Sequence, residues 1–265
     1  MDHPIPEDRN KPPRRDFWPQ RLRVMTYNVH GCVGVDLRFS PERIARIIEC
    51  VGADIVALQE IYVEHPRSKH LHQAAWLAGR LGMHFEFGMA RKLAGGGRYG
   101  NAVLSRHTLR VVRAEGLPRL TPRREPRAAL RVEVSTPLGD VDVVNTHLGL
   151  RPRERTLQTR ALASDWLSHV TPDSTSILCG DLNAVPGSSV YERFAGLLQD
   201  AERVGGARKP ARTWPALFPV MRLDHVFVGH GLRVVAWNVP SSTVERLASD
   251  HLPVVVDVVA GARER

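Results

Sequence analysis

Apolar positions at Leu22, Val24, Met25, Tyr27 and Val29 predict a strand over 21–29, ending on Asn28 and a Gly31/Gly34 loop. From Ser40 the period changes. Ser40-Pro41 is a helix start, with serine as cap and proline in the first turn, and Ile44, Ile47, Ile48 and Val51 recur at helical spacing until Gly52. Asp54 to Leu58 reads as a short buried strand delivering Gln59 and Glu60, and Leu71 to Leu81 as an amphipathic helix closed by Gly82. His84 to Met89 is a predicted strand and Leu93 to Gly100 a glycine-rich loop. Ala102–Leu104, Leu109–Val112, Ala129–Val134 and Val141–Val144 form a β-rich middle. A long helix is predicted over Glu154–Val170, a strand at Ser176–Cys179 and a short helix at Ser188–Leu198. Strands at Arg222–Val228, Leu232–Val239 and Pro253–Val259 complete the pattern.

Hairpin-like pairs alternate with helices in two similar halves, which suits two packed mixed sheets with helices outside, an α/β (α+β) arrangement. The 265 residues fall near the upper size of one domain. The expected division is a flexible arm over 1–20, one domain over 21–260 and a tail over 261–265. No run approaches a membrane span, and residues 1–20 carry no apolar signal segment. Cys32, Cys50 and Cys179 lack CxxC spacing, which fits a reducing compartment, so a cytoplasmic location is expected.

The net charge of +9 attracts phosphate polymers. Only Lys11, Lys69, Lys92 and Lys209 are lysines, and the arginines are dispersed, with denser groups at 119–131 and 151–160. The charge therefore gives weak support for anionic substrates.

Six short polar clusters follow or end the apolar runs: Thr26-Tyr27-Asn28, Leu58-Gln59-Glu60, Asn145-Thr146-His147, Gly180-Asp181-Leu182-Asn183, Leu223-Asp224-His225 and Ser249-Asp250-His251. Carboxylates, amides and imidazoles held at a sheet rim suit binding a divalent cation and activating water against a phosphate. Glu60, anchored by a buried strand, makes a stiff magnesium ligand. Asn28 can ligate through its amide oxygen or donate to a phosphate, and read alone it is a turn former. Asp181 can orient or deprotonate water while Asn183 donates to a phosphoryl oxygen. A protonated His147 can do the same. Asp250 can reach the metal site, and His251 can serve as acid or base with Asp224 orienting its other nitrogen.

Other chemistries lack their signatures. There is no GxSxG elbow, the glycine run at 95–100 lacks the GK[ST] ending of a phosphate loop, and no HExxH is present.

As an ordered set, Met25-Thr26-Tyr27-Asn28, Asp54-Ile55-Val56-Ala57-Leu58-Gln59-Glu60, Gly180-Asp181-Leu182-Asn183 and Ser249-Asp250-His251-Leu252-Pro253-Val254 resemble the endonuclease/exonuclease/phosphatase superfamily, the DNase I-like fold. The likeness runs from about Arg21 to Val259. It implies a four-layer α/β/β/α sandwich with the active site at the rim between the sheets. It also implies Mg2+ or Mn2+ held by Asn28, Glu60 and Asp250. His147 and Asn183 are then phosphate-oxygen donors, Asp181 a water activator, and His251 the partner of Asp224. His30, Arg98 and Tyr99 complete the implied substrate-binding set.

Two departures stand out. Nucleases of the deoxyribonuclease type support the first histidine with a glutamate, which Arg98-Tyr99-Gly100-Asn101 does not offer. Abasic-site nucleases carry an aspartate where this chain has His30. Tyr27-Asn28-Val29-His30-Gly31 and His147-Leu148-Gly149 with Arg155 and Gln158 look closer to the bacterial metal-dependent hydrolase branch.

The expected activity is a magnesium-dependent phosphodiesterase. The alternatives are a nuclease on DNA or RNA, a sphingomyelinase-like phospholipid headgroup hydrolase, and a binding module on a decayed scaffold. Trp214 to Pro219 is a short candidate for lipid contact, read in preference as a packed loop.

Overall fold

The computed structural model describes residues 20–171, 173–206 and 211–261; the expected arm over 1–19 and most of the expected tail lie outside them. The first half runs β1 (Leu22–Asn28), α1 (Pro41–Val51), β2 (Ile55–Val63), α2 (Gln73–Leu81), β3 (His84–Lys92), β4 (Arg98–Ser105), β5 (Leu109–Gly116) and β6 (Ala128–Thr136). The second runs β7 (Gly139–His147), α3 (Pro152–Ala161), β8 (Ser176–Asp181), α4 (Ser189–Ala195), β9 (Gln199–Asp200), α5 (Ala201–Val204), β10 (Asp224–Val228), β11 (Leu232–Asn238), α6 (Thr243–Ala248) and β12 (Val254–Ala260).

Local chemistry sets the helix ends. The Ser40 hydroxyl accepts from the Arg43 N–H, Pro41 occupies the first turn, and Gly52 closes α1 in the left-handed region. His72 caps α2 through its ring nitrogen. The predicted long helix after Glu154 begins earlier, at Pro152, and stops earlier: α3 passes into a π-helical turn over Leu162–Trp166. That turn seats Trp166 under the second sheet beside Leu162 and Leu178.

The strands form two six-stranded sheets, ordered β11-β12-β1-β2-β4-β3 and β5-β6-β7-β8-β10-β9. Each has one parallel pair at its centre, β1 with β2 and β7 with β8, and is otherwise antiparallel. Because side chains alternate along a strand, each sheet buries two faces. Leu22, Val24, Ile55, Ala57, Val132, Val143, Ile177, Val226 and Val256 pack between the sheets. Met25, Tyr27, Val56 and Leu58 pack outward onto Ile44, Ile48 and Leu77 of α1 and α2. Val144, Leu178 and Phe227 pack outward under Val190 and Phe194 of α4. The layers are therefore α/β/β/α, the DNase I-like sandwich.

Two expectations change at the rim. The strand predicted to stop at Leu58 continues to Val63 through a bulge, where the register shifts between Leu58 and Ile61. Arg98 to Gly100, expected in a loop, begins β4 and pairs with Val63, Tyr62 and Ile61. The Trp214–Pro219 segment closes on itself through a Trp214–Met221 bridge and leaves Phe218 79% exposed. Among the described residues no helix is long and apolar enough to cross a membrane.

Candidate active site

At one end of the inter-sheet core the apolar alternation gives way to polar groups on the same inward face. The last apolar layer is followed by Thr26, Gln59 and Asn145, all buried. Gln59 Nε2 donates to Thr26 Oγ1 at 3.0 Å and to Asn145 Oδ1 at 2.8 Å. Asn145 Nδ2 donates across the gap to the Leu58 and Ala102 carbonyls, at 2.9 and 2.8 Å. This layer joins the two sheets and forms the floor of the site.

One step further along lie the reactive groups. His147, Asp181 and Asp224 stand side by side in register on β7, β8 and β10. The close approach of β8 to β7 requires Gly180, with φ +137°, since a Cβ there would fall 1.9 Å from the Thr146 carbonyl oxygen. From the other sheet come Asn28, at the end of β1, and Glu60, the extra residue of the bulge. Glu60 has φ +62°, a conformation costing about 1–2 kcal/mol for a non-glycine residue. The bulge turns its carboxylate to the rim while Leu58 and Ile61 both stay in the outer core.

Asp181 is the hub. Its Oδ2 accepts from Asn28 Nδ2 at 3.1 Å and lies 3.2 Å from His147 Nε2 and 3.7 Å from His251 Nε2. Its Oδ1 accepts from the Asn183 backbone N–H at 2.9 Å. Asn28 Nδ2 also donates to Glu60 Oε1 at 3.1 Å, so one amide nitrogen draws two carboxylates together. Asn28 Oδ1 accepts from the His30 N–H at 3.1 Å, which fixes that orientation. His251 Nδ1 lies 2.8 Å from Asp224 Oδ2. Ser249 Oγ donates to the Asn28 carbonyl at 2.7 Å and accepts from the His251 N–H at 3.3 Å, which holds the 249–251 turn against β1.

Electrostatics divide these groups. Burial pushes the Asp181 carboxyl up to about 7, and Asp224 adds to this while His251 opposes it. Burial disfavours charge on His251, but the Asp224 and Asp181 carboxylates outweigh it and lift the imidazole to about 10. His147 goes the other way: burial, then Arg127 and His251, hold it well below the ordinary histidine value. That direction runs against the protonated His147 expected from the sequence, because a closed pocket shared with a guanidinium disfavours a second positive charge.

The structure thus brings Asn28, Glu60, His147, Asp181, Asn183, Asp224 and His251 into one connected cluster. Asn183 also donates from Nδ2 to the Leu148 carbonyl at 2.9 Å. His30 and Asp250 stand beside this cluster, their Nδ1 and Oδ1 3.9 Å apart, each with a side chain 40% exposed. Arg98 turns away to Glu64, 3.2 Å from its carboxylate. Tyr99 is buried, and its hydroxyl accepts a long 3.4 Å contact from Arg127. Sequence reading missed Arg127, which lies inside an arginine-rich stretch with nothing to single it out, and did not assign roles to Gln59 and Asn145.

The donor set suits a divalent ion. Glu60, with a side chain 22% exposed, and Asp181, shut in, offer hard oxygens on either side of Asn28 with an opening to solvent. Asp181, Asp224 and His251 also bring ligand atoms within 4.8 Å of one another. There, however, Asp224 already engages His251 through Nδ1.

The model of the Endonuclease/Exonuclease/phosphatase family matches residues 25–251, which span every one of these groups. The chain belongs to that family. It is 30% identical over 255 residues to the uncharacterized protein YbhP of Escherichia coli strain K12, covering 89% of this chain and 96% of that protein. Among solved structures it is similar to an endonuclease/exonuclease/phosphatase from Beutenbergia cavernae, with 30% identity, a TM-score of 0.72, and coverage of 91% of this chain and 72% of the other. The fold is shared with the Bacteroides thetaiotaomicron mannosyl-6-phosphatase Bt3783, at 20% identity, a TM-score of 0.69, and coverage of 90% and 99%.

Proposed function

We propose that the protein is a divalent-metal-dependent phosphoesterase that hydrolyses a phosphodiester by in-line attack of water. The observation that carries this reading is the convergence on Asp181 of Asn28, His147 and His251 from both sheets, with Glu60 beside them. Family membership supports the reaction class.

Glu60 and Asn28, with Asp250 at the rim, would hold Mg2+ or Mn2+, which when bound supplies positive charge against the phosphoryl oxygens. Binding through the Asn28 oxygen requires its amide to turn over from the orientation fixed by His30. Asp181 accepts a proton from the attacking water, a task suited to a carboxyl raised toward neutrality. His147 and the remaining amide proton of Asn183 donate to non-bridging oxygens. His251, charged and steadied by Asp224, gives its proton to the departing alcohol oxygen as the P–O bond breaks.

A nucleic-acid substrate is favoured by one observation. Arg119, Arg123 and Arg124 are exposed on the β5–β6 segment, which Gln158 of α3 ties down through the Pro118 carbonyl, and Arg151 and Arg153 are exposed where α3 begins, just after His147. One screen tests both readings: DNA, RNA, phospholipid vesicles, a generic phosphodiester and a phosphomonoester, each with magnesium and with chelator. Metal-dependent cleavage of a diester is expected, and binding that weakens steeply with salt would mark nucleic acid. Turnover unaffected by chelator, or no turnover on any of these, would overturn the proposal.

A further inference from the structure

Arg127 is 4% exposed, and its guanidinium sits behind His147. Its Nη1 is 3.1 Å from His147 Nδ1, and its Nη2 is 2.9 Å from Glu125 Oε2. Its own carbonyl accepts from the Leu117 N–H at 2.7 Å, so the β5–β6 segment closes on this residue. The other candidate partner of Nδ1 is Glu60 Oε1, at 4.0 Å, beyond hydrogen-bond reach.

We propose that Arg127 is a positioning residue that decides which nitrogen of His147 carries the proton, holding Nδ1 as an acceptor and presenting Nε2–H to the cleft.

The reason is donor arithmetic. A guanidinium has five N–H donors and no acceptor, so a contact at 3.1 Å is a hydrogen bond only if Nδ1 brings its lone pair. A neutral imidazole has one N–H, and that proton must then reside on Nε2. On that side lies Asp181 Oδ2, at 3.2 Å, whose lone pairs need a donor. Two contacts on opposite edges of the ring thus select the same tautomer. His251 has the reverse arrangement, a carboxylate behind Nδ1. A carboxylate in place of Arg127 would call for the proton on Nδ1, and a neutral ring would then have none on Nε2. This assignment deepens the proposed function by naming what supports the phosphoryl-oxygen donor, and in part it rests on that reading.

The test is a two-bond 1H–15N correlation spectrum of the histidine rings in the 15N-labelled full chain, with His147 assigned by loss of its signals in His147→Gln. The wild type should show His147 with the proton on Nε2. Arg127→Lys, which keeps a donor, should preserve that pattern, and Arg127→Met should convert it to a mixture or to the Nδ1–H form. On a generic phosphodiester with magnesium, Arg127→Met should lower kcat at least about tenfold with KM changed less than about threefold, and Arg127→Lys should restore most of kcat. A wild-type ring protonated on Nδ1, or on both nitrogens, overturns the proposal without need of any variant. So does an Arg127→Met protein that keeps both the Nε2–H pattern and full kcat. An inactive wild type with the expected tautomer, lost in Arg127→Met, supports the positioning and overturns only the proposed function.

Discussion

Asp224 Oδ2 lies 2.8 Å from His251 Nδ1, although 27 residues separate the two in sequence. His147, the other imidazole beside Asp181, has the Arg127 guanidinium at the equivalent nitrogen. One ring is backed by a carboxylate and the other by a cation, so two histidines a few ångströms apart are steered to opposite charge states. Such a split suits one proton donor that turns over and one that stays neutral. His251→Ala should lower kcat by at least about 10²-fold, the scale of lost acid–base catalysis. Asp224→Asn should come close to the same loss, because the amide can offer Nδ1 a donor and so set the wrong tautomer. Steady-state kinetics on the best diester of the screen decides this, and near-wild-type turnover in either variant would count against the assignment.

Asp181 collects contacts from Asn28, His147, His251 and the Asn183 backbone around one carboxylate. Removing it leaves an amide and two imidazoles without their common acceptor and takes away the proposed base. Asp181→Ala should cost at least about 10²-fold in kcat. The same protein should keep its fold, since the group sits at the end of β8 and outside the apolar layer. A variant that folds and turns over like the wild type would remove Asp181 from the mechanism.

Most of the sandwich was legible in the sequence because each sheet buries both faces, which writes long apolar runs, and because Ser40-Pro41, Gly52 and Gly82 punctuate the helices by local chemistry. What was not legible was tertiary in origin. The Gln59–Glu60 bulge depends on pairing with β4, and nothing within Leu58-Gln59-Glu60-Ile61 announces a left-handed residue. The same holds for the π turn at 162–166, for the short α5 and α6, and for β9, two residues long. In the site, motif order pointed to the residues that the structure gathers around Asp181. It could not reveal Arg127, whose meaning comes only from the ring it faces.

Glu60 is the one carboxylate of the cluster with substantial access to solvent, and the bulge that carries it stores backbone strain. A residue kept at that cost is expected to serve the metal more than the fold. Glu60→Gln should raise the magnesium concentration for half-maximal activity at least about tenfold, with maximal activity partly recovered at high magnesium. Chelator should abolish wild-type turnover, and added magnesium or manganese should restore it. An unchanged magnesium dependence in Glu60→Gln would place the ion elsewhere.

The floor is a stability element. Asn145 satisfies two carbonyls of the opposite sheet and the Gln59 amide, all buried. Asn145→Ala takes this donor from both carbonyls in a layer closed to water, while the Gln59 amide keeps Thr26 and the Ala57 carbonyl, a loss of about 3 kcal/mol. Urea denaturation measures it. A variant within about 0.5 kcal/mol of wild type would show that water replaces the amide there.

His225 offers a test of burial through pH. Its ring lies on the outward face of β10, 2.7 Å from the Ala184 carbonyl through Nε2, with no partner for Nδ1 among the described residues. Burial, reinforced by Arg222, lowers it to about 4 from the ordinary 6.5. Between those values the unfolded chain binds a proton that the folded chain refuses. Its contribution to stability is therefore intact above about 6.5, declines as pH falls toward about 4, and is lost below that. Integrated from pH 7 to 5, the loss amounts to about 2 kcal/mol. His225→Gln keeps a donor for the Ala184 carbonyl and has no proton to gain. Between pH 7 and 5 the variant should lose about 2 kcal/mol less stability than the wild type by urea denaturation, and the difference cancels other titrating groups common to both. Parallel stability curves over that range would mean that the ring takes up its proton in the folded protein as readily as in the unfolded chain.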